Sequence, residues 1–170
     1  MKTIFMIKSL LAEFEHEASG TRKLLQAIPQ KDINYRPSPK SWTMGELAQH
    51  IATIYHWYSG VFSGPEYDLS KDQLERQDPE NIQATLEFFE DKVEKAREAL
   101  KSATEQTLKE SWTMKIGDQV IMDSQPRSLV IRGFLYNHLY HHRGEMIVYL
   151  RATGNRVPGL YGPTAEDMPG

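Results

Sequence analysis

Six histidines and no cysteine occur among these 170 residues, and the spacing of three of the histidines is what could carry chemistry. His138 and His142 stand four apart in the run HLYHHRGE that ends at Glu145. On a helix, side chains at i and i+4 rise from one face about 6 Å apart, so two such imidazoles can grip one metal ion. At about 100° per residue, Ile131, Leu135, His138, His142, Met146 and Tyr149 share a sector about 80° wide, which turns the pair toward the core. His141 falls near the edge of that face. In an earlier segment, His50 shares its face with Leu47, Ile54, Trp57 and Val61, whereas His56 and His16 point away from their apolar stripes. His50, His138 and His142 are therefore the candidate ligands. Three neutral imidazoles leave a divalent ion its full charge and an open position, the arrangement of catalytic rather than closed structural sites. Such a centre can polarise a carbonyl, acidify bound water or hold an external thiolate.

Glu145 lies one turn beyond His142 and can orient a ligand or serve as a base. As an ordinary surface acid it would instead pair with Arg143, Arg151 or another chain. A carboxylate-bridged di-iron bundle needs two Glu-x-x-His motifs, and only Glu13 and His16 supply one. Trp42, Trp57, Tyr136 and Tyr149 can line a pocket or simply fill the core.

Four amphipathic segments must position these residues, and they predict helices over about 3–28, 44–63, 79–102 and 126–153, with a tail over 154–170. Thr43 and Glu46 form a capping-box pattern at the second start; Asp78 and Pro79 open the third; Gly154 stops the fourth. Ser111–Lys115 and Gln119–Met122 flank Gly117 and read as a short hairpin between the last two helices. Residues 30–41 and 65–77 read as loops. The expected fold is all-α, a single four-helix bundle domain with a non-simple connection order.

A formal net charge of -3, without a basic run, offers no footprint for nucleic acid or an anionic membrane. The absence of cysteine removes disulfides, iron-sulfur clusters, thiolate zinc sites and a cysteine nucleophile. No stretch approaches the roughly 20 apolar residues that span a bilayer, and Lys8 with Glu13, Glu15 and Glu17 cuts short a signal-like start. A soluble, cytoplasmic protein is expected.

WTMGELAQH from Trp42 to His50, HLYHHRGE from His138, YLRATG from Tyr149 and VPGLYGPT from Val157 together resemble the DinB/YfiT-like family of metalloenzymes. The resemblance spans the whole chain. It implies an up-down-down-up four-helix bundle, a homodimer, and a divalent metal on three histidines that match His50, His138 and His142, with His141 a non-ligand neighbour. It also implies a small-molecule partner, since related members are S-transferases and isomerases using a low-molecular-weight thiol such as bacillithiol, mycothiol or glutathione. The expected cofactor is Zn or Ni, with Fe, Mn or Cu open to the same imidazole set. The competing expectations are a metallohydrolase using bound hydroxide and a non-catalytic dimeric stress-response or binding protein.

Overall fold

A computed structural model describes residues 3–75 and 77–168; the last two residues of the predicted tail lie outside the described ones. The chain is mostly helical with a small three-stranded sheet. Its long helices are α1 (Thr3–Gln26), α2 (Met44–Phe62) and α3 (Ile82–Ser102). A short α4 (Glu105–Lys109) follows, then α5 (Arg127–Leu129), a π-helical stretch (Val130–Tyr136) and α6 (Asn137–Ala152). The main packing contacts run from α1 to α3, α3 to α2, α2 to α6 and α6 back to α1. The core they enclose includes Phe14, Leu25, Ile51, Ile54, Phe89, Val93, Leu135 and Met146, all buried.

The strands of this mostly helical fold form one small sheet in chain order, the first of them not expected from the sequence pattern. β2 (Ser111–Ile116) pairs antiparallel with β3 (Gln119–Pro126), turning at Gly117, whose φ of 57° suits a residue without a Cβ. β1 (Glu66–Asp68), inside a segment read as loop, pairs parallel with β2 through Glu66 opposite Thr113 and Asp68 opposite Lys115. Three residues are too few to show the alternation by which strands are recognised. Trp112 on β2 is fully buried and donates its indole N–H to the Gly60 carbonyl at 3.2 Å, fastening the sheet to the end of α2.

The third helix begins at Ile82 rather than at residue 79. Asn81 caps it by accepting from the Ala84 amide at 3.2 Å, while the carbonyls of Pro79 and Glu80 face elsewhere. Glu80 accepts from the Gln30 amide at 2.6 Å, and a Cβ on Gly45 would sit 1.8 Å from the Pro79 oxygen. The Pro79 turn is thus pressed against the start of α2, where only glycine fits. The fourth predicted helix is not uniformly α-helical either. Phe134, Leu135 and Tyr136 all carry inward contacts, Phe134 to Trp57 and Tyr136 through its hydroxyl to the Leu10 carbonyl at 3.2 Å. A wider π turn lets three consecutive large side chains do this. Beyond Ala152, Gly154 adopts φ 72°, its N–H reaching the Arg151 carbonyl and Asn155 N–H the Leu150 carbonyl, the paired bonds of a Schellman stop.

Two polar residues hold the sheet end in place. Arg127 is buried and donates to the carbonyls of Val61 at 2.7 Å and Gly64 at 2.8 Å while pairing with Glu110 at 2.9 Å. It therefore satisfies the open C-terminus of α2. Replacing it by Met should cost about 2–4 kcal/mol in urea unfolding, because buried carbonyls lose their donors. Asp68 accepts from the Ser70 hydroxyl and amide and from the Gly117 amide, and these bonds, the hydroxyl first, hold its carboxyl down at about 2. That contribution is complete above the ordinary value of 3.8 and is lost as the pH falls toward about 2. The stability gap between wild type and Asp68→Asn should accordingly shrink across that window; a gap independent of pH would show that the charge is not engaged.

Candidate metal centre

The geometry of the candidate site starts with how α2 is launched. Thr43 Oγ1 accepts from the Glu46 amide at 3.1 Å and Glu46 Oε2 from the Thr43 amide at 2.7 Å, completing the capping box. The amides of Met44 and Gly45 bond to the carbonyls of Tyr35 and Ile33 at 2.8 and 2.9 Å. This fixes the first turn against the preceding loop, and His50 follows one turn after Glu46. From α6, His138 and His142 project one turn apart.

The three rings meet. Nε2 of His50 lies 3.0 Å from Nε2 of His138, and the ring centroids of His50 and His142 are 4.5 Å apart. One nitrogen from each of the three rings falls within 4.8 Å of the others. Metal–nitrogen bonds of about 2.0–2.1 Å place two ligand nitrogens on one ion roughly 3 Å apart, so the His50–His138 separation suits a shared cation. The donor set fits a borderline divalent ion such as Zn or Ni.

The electrostatics favour lone pairs over protons. Burial, then the neighbouring His142 and His141, pushes His138 down to about 4, leaving its ring neutral near pH 7. Among the described residues its buried Nδ1 has no hydrogen-bond partner. His142, 8% exposed, has Nδ1 at 2.6 Å from Glu145 Oε2, so the carboxylate accepts that proton and turns Nε2 toward the other rings. Glu145 does not pair with Arg143, which is buried against Glu17, nor with Arg151, which bonds Glu166. Within the chain, Glu145 instead contacts His142 and, at 3.6 Å, exposed His141.

Aromatic rings wall the site. Trp42 packs 4.7 Å from His50 and 5.6 Å from His142, and Trp57 stacks on His138 at 5.6 Å. Beside them opens a cavity of about 380 Å³ lined by Trp42, Glu46, Gln49, His50, Thr53 and Trp57. Tyr149 holds Trp42 by donating to its carbonyl at 3.1 Å, whereas Tyr136 is buried away from this cavity. His56 is taken up by Tyr67 and Asp72 at 3.0 and 3.1 Å, and His16 is exposed. Phe134, absent from the sequence candidates, covers Trp57 and lies 5.3 Å from His138. Its position one turn before His138 was the available signal.

The Glu145 contact yields a measurable expectation. Glu145→Gln should weaken zinc affinity by about 10–100-fold in a competitive chelator titration while leaving the helical circular dichroism unchanged. An unaltered affinity would show that the carboxylate does not tune His142.

A model of the DinB family matches residues 1–169. Among similar proteins of Bacillus subtilis strain 168, Uncharacterized protein YrdA is 30% identical over 164 residues, covering 92% of this chain and 89% of its own. Uncharacterized protein YjoA, from the same strain, is 26% identical, covering 89% of this chain and 94% of its own. Crystal structures of DinB-like proteins superpose well. The one from Bacillus cereus ATCC 10987 has a TM-score of 0.71 at 25% identity, covering 94% of this chain and 98% of that one. YjoA itself gives a TM-score of 0.72 at 20% identity, covering 89% and 97%, which speaks for the fold alone. The match along nearly the whole sequence places this chain in the DinB family.

Proposed function

We propose that this protein is a divalent-metal-dependent S-transferase in which His50, His138 and His142 hold the ion and an external low-molecular-weight thiol is joined to an electrophile. The observation that carries this is the convergence of three imidazole nitrogens within 4.8 Å beside a cavity. When bound, the cation supplies Lewis acidity that keeps a thiol deprotonated near neutral pH. The chain has no cysteine of its own, so any sulfur nucleophile must arrive with the substrate.

The protein's residues have separable tasks. His50, His138 and His142 would hold the ion through uncharged imidazole ligands and so leave its positive charge to act on the thiol. Glu145 holds the Nδ1 proton of His142 and thereby its orientation. Trp42 and Trp57 shield the rings from water and give the adjoining cavity apolar walls.

Elemental analysis of wild type and His138→Ala after growth with zinc or nickel should show about one equivalent of metal reduced to a small residue in the variant. Zinc-loaded protein should then accelerate conjugation of bacillithiol or glutathione to chlorodinitrobenzene, and a chelator should abolish the acceleration. Equal metal in both proteins, or conjugation that survives complete metal removal, overturns the proposal. Cleavage of activated esters without thiol would assign the same residues to hydrolysis.

A further inference from the structure

His142 belongs to two donor groups at once. Besides the inner trio with His50 and His138, it stands with His141 and Glu145 in a second group whose ligand atoms also lie within 4.8 Å of one another. All of this second group comes from α6, with His141 and Glu145 one turn apart and therefore on one face. The inner rings are partly or wholly buried, whereas the side chains of His141 and Glu145 are 64% and 45% exposed. A divalent ion in solution meets the second group at the surface.

The Glu145 carboxylate divides its oxygens between the two groups. Oε2 takes the Nδ1 proton of His142 at 2.6 Å, and Oε1 stands 3.6 Å from Nε2 of His141. Ligand atoms bonded at about 2.0–2.2 Å to one ion lie roughly 3–3.5 Å apart, so a small rotation of exposed His141 closes its gap on a cation. The arginines nearest in sequence are committed elsewhere, Arg143 to Glu17 and Arg151 to Glu166. A surface histidine and glutamate at this spacing are ordinary in themselves. What distinguishes this pair is that the same carboxylate orients a candidate ligand of the inner ion.

A cation on Oε1 draws charge from the carboxylate, whose hold on the Nδ1 proton of His142 then weakens. The opposite nitrogen of that ring becomes a poorer donor to the inner ion. Net charge acts in the same direction. The inner ion's double charge, set against the Glu145 carboxylate, leaves a single positive charge, and the Arg36–Glu46 pair adds nothing to it. A second dication raises that charge to three. The two occupancies therefore oppose each other, and each ion weakens the other by the same factor.

The geometry points to an outer cation seat on His141 and Glu145, completed by water, through which a further divalent ion loosens the inner one. His142 keeps its Nδ1 proton throughout. The inference rests on the proposed metal centre for what it regulates, while the outer donors are independent of His50 and His138.

Cobalt titration of the chelator-stripped full chain tests it, because the visible bands of Co²⁺ report the ligands around the inner ion. By equilibrium dialysis wild type should bind two equivalents, the second more weakly, and the inner bands should shift as the second enters. His141→Ala, at an exposed position, should keep the first equivalent and its bands, lose the second, and abolish the shift. His138→Ala should retain the outer equivalent and, freed from the inner charge, hold it about tenfold more tightly than wild type holds its second. Metal content unchanged by His141→Ala would mark the second equivalent as an adventitious ion only and overturn the seat. Inner bands indifferent to the second ion overturn it too, as does loss of the first equivalent with His141, which would make that ring an inner ligand. Failure of the inner site shows instead as metal content unchanged by His138→Ala, so the two failures are distinguishable.

Discussion

A guanidinium sunk between two helices sets where the candidate ligands can be. Arg143, 2% exposed, follows His142 directly and donates to the Glu17 carbonyl at 3.1 Å and the Thr21 hydroxyl at 3.2 Å, while pairing with the Glu17 carboxylate. Thr21 gives its own proton to the Glu17 carbonyl at 2.9 Å, so the 2.8 Å contact with Tyr55 must have the tyrosine as donor. Burial pushes the Tyr55 hydroxyl upward, which keeps it a neutral donor. Tyr55 belongs to α2, the helix of His50. One polar chain therefore joins the helix of His142 to α1 and α1 to the helix of His50. Tyr161, from the tail, completes it by bonding Glu17 at 2.8 Å and contacting Arg143.

Burying such a pair is costly, and a well-packed apolar replacement can equal or exceed it in stability. What the ion pair adds is register. An apolar contact tolerates a slide of part of a turn, whereas a guanidinium held by a carboxylate, a carbonyl and two hydroxyls does not. Candidate ligand nitrogens 3.0 Å apart on different helices need that restriction, since a small axial shift of α6 would separate them. Arg127 does comparable work at the far end of α2, so the helix carrying His50 is constrained by polar anchors at both its start and its end.

Helical phase made much of this site legible, because a 3.6-residue repeat converts spacing into direction. It turned His50, His138 and His142 inward and His16 and His56 away, and it marked Thr43 with Glu46 as a helix start. Arg143 and Glu17 escaped for a physical reason. Their partnership spans 126 positions, and Glu17, at the end of a run with Glu13 and Glu15, looks like part of a solvated face. The π-helical turns escaped because a wheel presumes constant pitch, and the strand at Glu66–Asp68 because pairing with β2, rather than its own composition, makes it a strand. The delayed start of α3 likewise came from tertiary contact, as the Pro79 carbonyl packs against Gly45 and the Glu80 carbonyl accepts from the Gln30 side chain.

The same logic explains why the histidines sit where local rules would forbid them. Crowding three imidazoles sacrifices hydration, burial pushes His138 down to about 4, and its Nδ1 is buried without a partner among the described residues. A chain selected only for stability would fill that space with leucine. Violations of local preference that persist inside a well-determined frame mark function. Here the frame is the Glu17–Arg143–Thr21–Tyr55 chain, which supplies the rigidity the imidazole cluster cannot supply for itself. A ligand that binds the folded arrangement and not the unfolded chain repays the cost by mass action. The divalent cation proposed for this cluster would do so by closing the imidazole lone pairs on one positive centre, whereas without it the Nε2 atoms of His50 and His138, 3.0 Å apart, share a single proton.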